Sequence, residues 1–150
     1  MEYKKIKPQN FTVEELREIW NKVYCRASII TFDGILVQFY SSMFDHCFFE
    51  SENRKTKDKS ILSYNRLEKI YWIKDTLQDA DATLKIGWDG KNKTYDESRR
   101  VALVKGNYVV VIILFSTTKA RFVTAYEITD DENLEKIMQS PDFEHKKNVD

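Results

Sequence analysis

Long apolar stretches are missing from this 150-residue chain. The longest uninterrupted run, Tyr108 to Phe115, is less than half the roughly 18 to 20 residues that a spanning helix requires, which predicts no membrane association. Cysteine is scarce too. Cys25 and Cys47 are too few for a disulfide framework, and neither stands in a CxxC or CxxH spacing that would suggest zinc. Both thiols read as small apolar side chains in a reducing, cytoplasmic setting. The opening residues, Met1 to Pro8, are charged and then polar with no apolar stretch behind them, so no secretory signal is expected. Four Gly and two Pro exclude collagen-like and low-complexity chains, and 13% aromatic content argues against disorder. The expectation is a single domain over residues 1–150, its core spanning about 11–140, with a short N-terminal arm and an acidic C-terminal tail.

Net charge is zero overall but uneven along the chain. Residues 127 to 150 hold eight acids against three lysines, a net −5, whereas residues 99 to 126 hold five basic residues and no acid. On a sheet, that +5 would attract phosphates. The plainer alternative is that these Lys and Arg simply face solvent on amphipathic strands.

Thr12 and Glu15 form a T-x-x-E capping box, and Val13, Leu16, Ile19, Trp20 and Val23 then recur on one stripe, predicting a helix over about Thr12 to Tyr24. Ala27 to Phe32 and Ile35 to Tyr40 read as strands joined by the hairpin signal Asp33-Gly34, the second continuing or resuming through Met43 to Phe49. Ser51 to Ser60 reads as a mobile basic loop. A second helix, capped by Ser60 or Ser63, is expected to run to about Asp79, with Tyr64, Tyr71 and Trp72 in the core rather than forming a base-stacking platform. Ala82 to Trp88 suggests a strand ending at Asp89-Gly90. Arg99 to Lys105, Tyr108 to Phe115 and Arg121 to Ile128 form an antiparallel meander whose middle strand is apolar on both faces. A short helix over about Asp131 to Met138 closes an α+β domain.

Of the two histidines, His145 sits in the charged tail, while His46 lies in an aromatic-flanked segment read as a strand end. A histidine there suits proton exchange near neutrality, or it is a hydrogen-bonded structural residue. On the last strand strict alternation places Phe122, Thr124, Tyr126 and Ile128 on one face and Arg121, Val123, Ala125 and Glu127 on the other, so two hydroxyls project together. They suit phosphate binding, or they are merely good strand formers. Arg99 and Arg100 straddle a strand start, so one of them can face such a site. Scattered carboxylates, no HExxH or DxD and no Gly-rich phosphate loop leave metal catalysis unsupported, and no cofactor is implied. A Cys–His hydrolase using Cys47 or Cys25 is disfavoured, because Cys47 adjoins His46 on the presumed strand.

The string Arg66-Leu67-Glu68-Lys69-Ile70 with Trp72 to Leu77, then Arg99 to Val104, Tyr108 to Ile112 and Phe122-Val123-Thr124-Ala125-Tyr126, resembles phage- and mobile-element-associated nucleases of the barnase–EndoU–colicin–RelE (BECR) superfamily over roughly Phe44 to Ile128. The resemblance implies helices packed on a four- or five-stranded antiparallel sheet and a metal-independent ribonuclease, often deployed as a toxin or phage-borne effector. His46 would be the general base toward a 2′-OH, Arg100 or Arg99 would stabilise the phosphorane, and Thr124 or Tyr126 would hold a nonbridging oxygen. A second well-framed histidine is missing, so a Lys, a Tyr or the arginine would serve as acid. Lys55, Lys57, Lys59, Lys105, Lys119 and Arg121 are the candidate RNA contacts, and a cognate inhibitor or immunity protein is a candidate partner.

Two alternatives compete with the nuclease: a catalytically inert RNA-binding or protein-interaction module on the same sheet, and an immunity or antitoxin-like protein, which would be acidic over its interacting face. The nuclease requires His46, Arg100 and Thr124 to converge on one open concavity, and placement on separate surfaces contradicts it. The acidic end is also expected to be able to mask the basic sheet.

Overall fold

The computed structural model describes residues 3–50, 61–89, 94–95 and 100–143. Among these, five α-helices accompany the strands: α1 (Val13–Trp20), α2 (Met43–Phe48), α3 (Tyr64–Leu67), α4 (Trp72–Leu77) and α5 (Asp131–Met138). The strands are β1 (Ile29–Ile30), β2 (Leu36–Gln38), β3 (Phe49–Glu50), β4 (Ile61–Leu62), β5 (Thr83–Ile86), β6 (Trp88–Asp89), β7 (Thr94–Tyr95), β8 (Arg100–Lys105), β9 (Tyr108–Leu114) and β10 (Lys119–Glu127). Six of them form one sheet in the order β1-β2-β10-β9-β8-β5. All its pairs are antiparallel except β2 on β10, so the sheet exceeds the expected four or five strands and is mixed.

The α1 capping box forms as the sequence dictates: Thr12 Oγ1 accepts from the Glu15 amide at 3.1 Å while Glu15 Oε1 accepts from the Thr12 amide at 2.9 Å. The chain then continues as a π-helical turn, Asn21–Cys25, which brings Tyr24 into the core. Gly34 sits at φ +93° in the turn between β1 and β2, a conformation that favours glycine. The segment from Met43 departs from expectation. It is the helix α2, not a strand, because Phe44, Cys47 and Phe48 recur at spacings of three and four and bury one side while Asp45 and His46 stay exposed. The expected second long helix is broken into α3 and α4, with Ser63 capping the first by accepting from the Arg66 amide. The loop Ser51–Ser60 and the turn residue Gly90 lie outside the described residues.

One face of the sheet packs on α1 through α4. Trp20 is fully buried there, with its ring centroid 4.8 to 5.7 Å from those of Tyr24, Phe39, Phe48 and Phe122. Tyr71 and Trp72 pack against this core as expected, but Tyr64 is half exposed. On the second face α5 sets Leu134 and Ile137 against Ala102, Val104, Val109 and Ile128. Hence β9 is covered along its helix side and, on the second side, around Val109 and Val111, which accounts for most of its unbroken apolar run.

The arm and the sheet meet at Asp79, just beyond α4. Its carboxylate accepts from the Asp81 amide at 2.9 Å and the Tyr3 hydroxyl at 2.8 Å and lies 3.3 Å from Lys105 Nζ. These contacts, the Asp81 amide foremost, hold its pKa below the ordinary 3.8. A depressed folded pKa contributes stability above the unfolded value and loses it as pH falls through the folded one. Asp79→Asn is therefore expected to lower the melting temperature at pH 7, and the difference from wild type is expected to shrink as the pH falls through the depressed pKa of Asp79, as read by circular dichroism.

Candidate functional site on the second face of the sheet

Face assignments on β10 turn on one extra residue. Phe122 opposes Ile112 and Thr124 opposes Val111, so Val123 is a β-bulge. Strict alternation therefore fails here. Phe122 joins Ala120 and Ala125 in the helix-packed core, whereas Thr124 and Tyr126 turn to the second face. The two hydroxyl residues share a face as expected, but Phe122 does not share it with them.

Arg100 opens β8 on that same face. A cavity of about 290 Å³ is lined there by Arg100, Thr124, Tyr126 and Lys85, with Ile137 and Ser140 from α5 and the turn after it closing one wall. Arg100 Nε is buried with no hydrogen-bond partner among the described residues. A buried, charged donor without an acceptor is costly, and an incoming anionic oxygen would relieve that cost. Its stem runs across Gly87, whose amide donates to Arg100 O at 2.8 Å. A Cβ at Gly87 would collide with Arg100 Cγ and stand 2.8 Å from Cδ. Gly87→Ala is accordingly expected to keep the fold but push the guanidinium aside, weakening phosphate binding about as much as removing it. Isothermal titration of the variant with inorganic phosphate checks this.

Tyr126 is pushed above the usual phenol pKa by burial, offset by Arg66. It thus stays protonated at physiological pH and can only donate to a phosphate oxygen. Lys85, nearly buried, pairs with Asp142 at 2.6 Å. Asp142 belongs to a segment lying along β5, where Ile86 N–H donates to Pro141 O at 2.8 Å and Phe143 N–H to Leu84 O at 3.1 Å. Within the described part of the acidic end, α5 packs on this face and Asp142 pairs with Lys85 on it.

The structure does not bring every candidate here. His46 is exposed on α2, whose buried side packs into the helix layer, so it stands across the sheet from Arg100, Thr124 and Tyr126 and does not line their cavity. The required convergence of the three is not met, because the segment is helical and belongs to the other layer. Lys105 points to the helix side, where Asp79 holds it, while Lys119 and Arg121 are exposed on the second face. Arg99, Lys55, Lys57, Lys59 and His145 lie outside the described residues. Sequence reasoning missed Lys85 and Gly87. Lys85 shares a face with Thr83 in the expected strand, a signal that could have grouped the two but not placed them on this face. Among the described residues no cluster of three or more His, Cys, Asp or Glu is arranged to hold a metal.

No protein-family model, curated protein or solved structure matches this chain.

Proposed function

We propose that this protein binds RNA on the second face of its sheet, holding a phosphodiester in the cavity of Arg100, Thr124 and Tyr126. The observation that carries the reading is the buried guanidinium nitrogen Nε of Arg100, without a hydrogen-bond partner among the described residues, in a cavity that it shares with two hydroxyl side chains on a sheet face with further cations, Lys119 and Arg121. Arginine offers a planar fork suited to phosphate oxygens, and the hydroxyls complete the shell. The separation of His46 favours this binding module over a ribonuclease with a histidine base.

A second reading is supported by Tyr126, whose phenol keeps its proton beside the cavity's arginine. In it the nuclease built on His46, which the separation of that residue contradicts, gives way to a histidine-free, metal-independent ribonuclease of the BECR kind, a toxin or phage effector acting on cellular RNA. The 2′-OH attacks the adjacent phosphorus and gives up its proton to solvent water, the bond to the 5′ oxygen breaks to leave a 2′,3′-cyclic phosphate, Arg100 neutralises the phosphorane, and Tyr126 protonates the leaving 5′ oxygen and regains its proton from solvent.

Total cellular RNA incubated in EDTA with wild type, His46→Ala and Tyr126→Phe separates the two. Binding without cleavage by any of them supports the module. Cleavage retained by His46→Ala and lost by Tyr126→Phe supports the histidine-free nuclease. Cleavage lost only in His46→Ala overturns the assignment of the site.

A further inference from the structure

Beside the cavity lies a second concavity of about 350 Å³, lined by Gln38, Tyr40, Ile113, Phe115 and Arg121. Tyr40 is 50% exposed and Phe115 52%, high values for aromatic rings in a chain with a well-filled aromatic core. Register ties this shelf to the cavity. Gln38 pairs with Arg121, Arg121 with Ile113, and Ile113 with Arg100, so one row crosses four adjacent strands on a single face. At about 4.8 Å per strand the two arginines stand roughly 10 Å apart at the backbone, with Ile113 between them. Tyr40 is fixed from below: its hydroxyl donates to Gln38 Oε1 at 3.1 Å, and its carbonyl accepts from the Trp20 indole at 3.0 Å. Lys119, exposed on the same face, adds a second cation near Phe115, whose amide donates to Lys119 O at 3.0 Å.

We infer that this shelf is a base-stacking subsite for single-stranded RNA: a nucleobase next to the phosphodiester in the Arg100 cavity stacks on Tyr40 or Phe115, and Arg121 takes the neighbouring phosphate. The inference rests on the proposed RNA-binding reading and deepens it. Exposed rings interleaved with cations are what such a strand requires, because every base has a face to stack and every linkage a charge to neutralise. Arg121 at the centre of the patch favours a polyanion over an apolar protein surface. A volume of this order accommodates one base with its ribose.

Binding of a 2′-O-methyl hexauridylate, which cannot undergo 2′-OH attack, is measured alongside binding of inorganic phosphate, which fills the cavity alone. The full chain is compared with Tyr40→Ala/Phe115→Ala, Arg121→Gln and Arg100→Ala, each confirmed as folded by circular dichroism. The expected result is a loss of about tenfold or more in hexauridylate affinity for the double aromatic variant, with phosphate binding unchanged. Arg121→Gln lowers the slope of log affinity against log salt by about one. Arg100→Ala loses both ligands. Unchanged hexauridylate affinity in the aromatic variant overturns the subsite, as does a loss of self-association in its place, which would assign the patch to a second copy of the chain. Wild type binding neither ligand is the separate failure of the RNA-binding reading itself.

Discussion

Arg100→Ala is expected to reduce the affinity for single-stranded RNA by roughly ten- to a hundredfold, the range that follows from about 1.5–3 kcal/mol for hydrogen bonds to a charged group. The argument is one of available charge. Lys85 reaches the cavity but is already paired with Asp142, and Tyr126 and Thr124 supply dipoles, so among the described residues Arg100, whose Nε has no acceptor, is the cavity's cation left for a phosphate. Arg100→Lys is not expected to rescue binding, because an ammonium lacks the planar fork and places no donor at the buried Nε position. Fluorescence anisotropy of a labelled RNA in EDTA reads the effect, and equal affinities for wild type and Arg100→Ala would remove the cavity from the account.

Trp20→Ala should cost about 3–5 kcal/mol of folding stability, the range for deleting a buried indole. Trp20 is fully buried, meets four aromatic rings contributed by its own helical run, the segment after β2, α2 and β10, and donates from its indole to Tyr40 O. It thus joins the helix layer to the bulged strand that carries Thr124 and Tyr126. Against a typical total of about 5–15 kcal/mol the loss is severe. Urea denaturation gives the value, and a change under about 1 kcal/mol would contradict the packing of α1 on β10.

How far the fold was legible follows from which signals were local. The capping box of α1, the Asp33-Gly34 turn, the meander and α5 were readable because each is written in contiguous residues with a fixed period. The segment Met43–Phe48 was misread because Phe44, Cys47 and Phe48 satisfy a helical spacing in a run too short and too aromatic to separate helix from strand by pattern. His46 followed that error. The parallel pairing of β2 on β10, which adds the N-terminal hairpin to the sheet, is a long-range contact with no local mark.

For the site, Arg100, Thr124 and Tyr126 could be singled out by residue type and by their places along two expected strands. The bulge at Val123 was invisible, since a single extra residue leaves the hydrophobic pattern almost unchanged while reversing every face before it relative to those after it. The same holds for Gly87, whose importance comes from the Arg100 stem lying over it across a strand pair.

The most direct test of the central claim is a map of backbone and side-chain NMR shifts on adding a short single-stranded RNA to the labelled chain. The account expects the largest changes at Arg100, Thr124, Tyr126 and Arg121, with the His46 ring signals unmoved. Changes centred on His46 and α2, with β8 and β10 undisturbed, would contradict it.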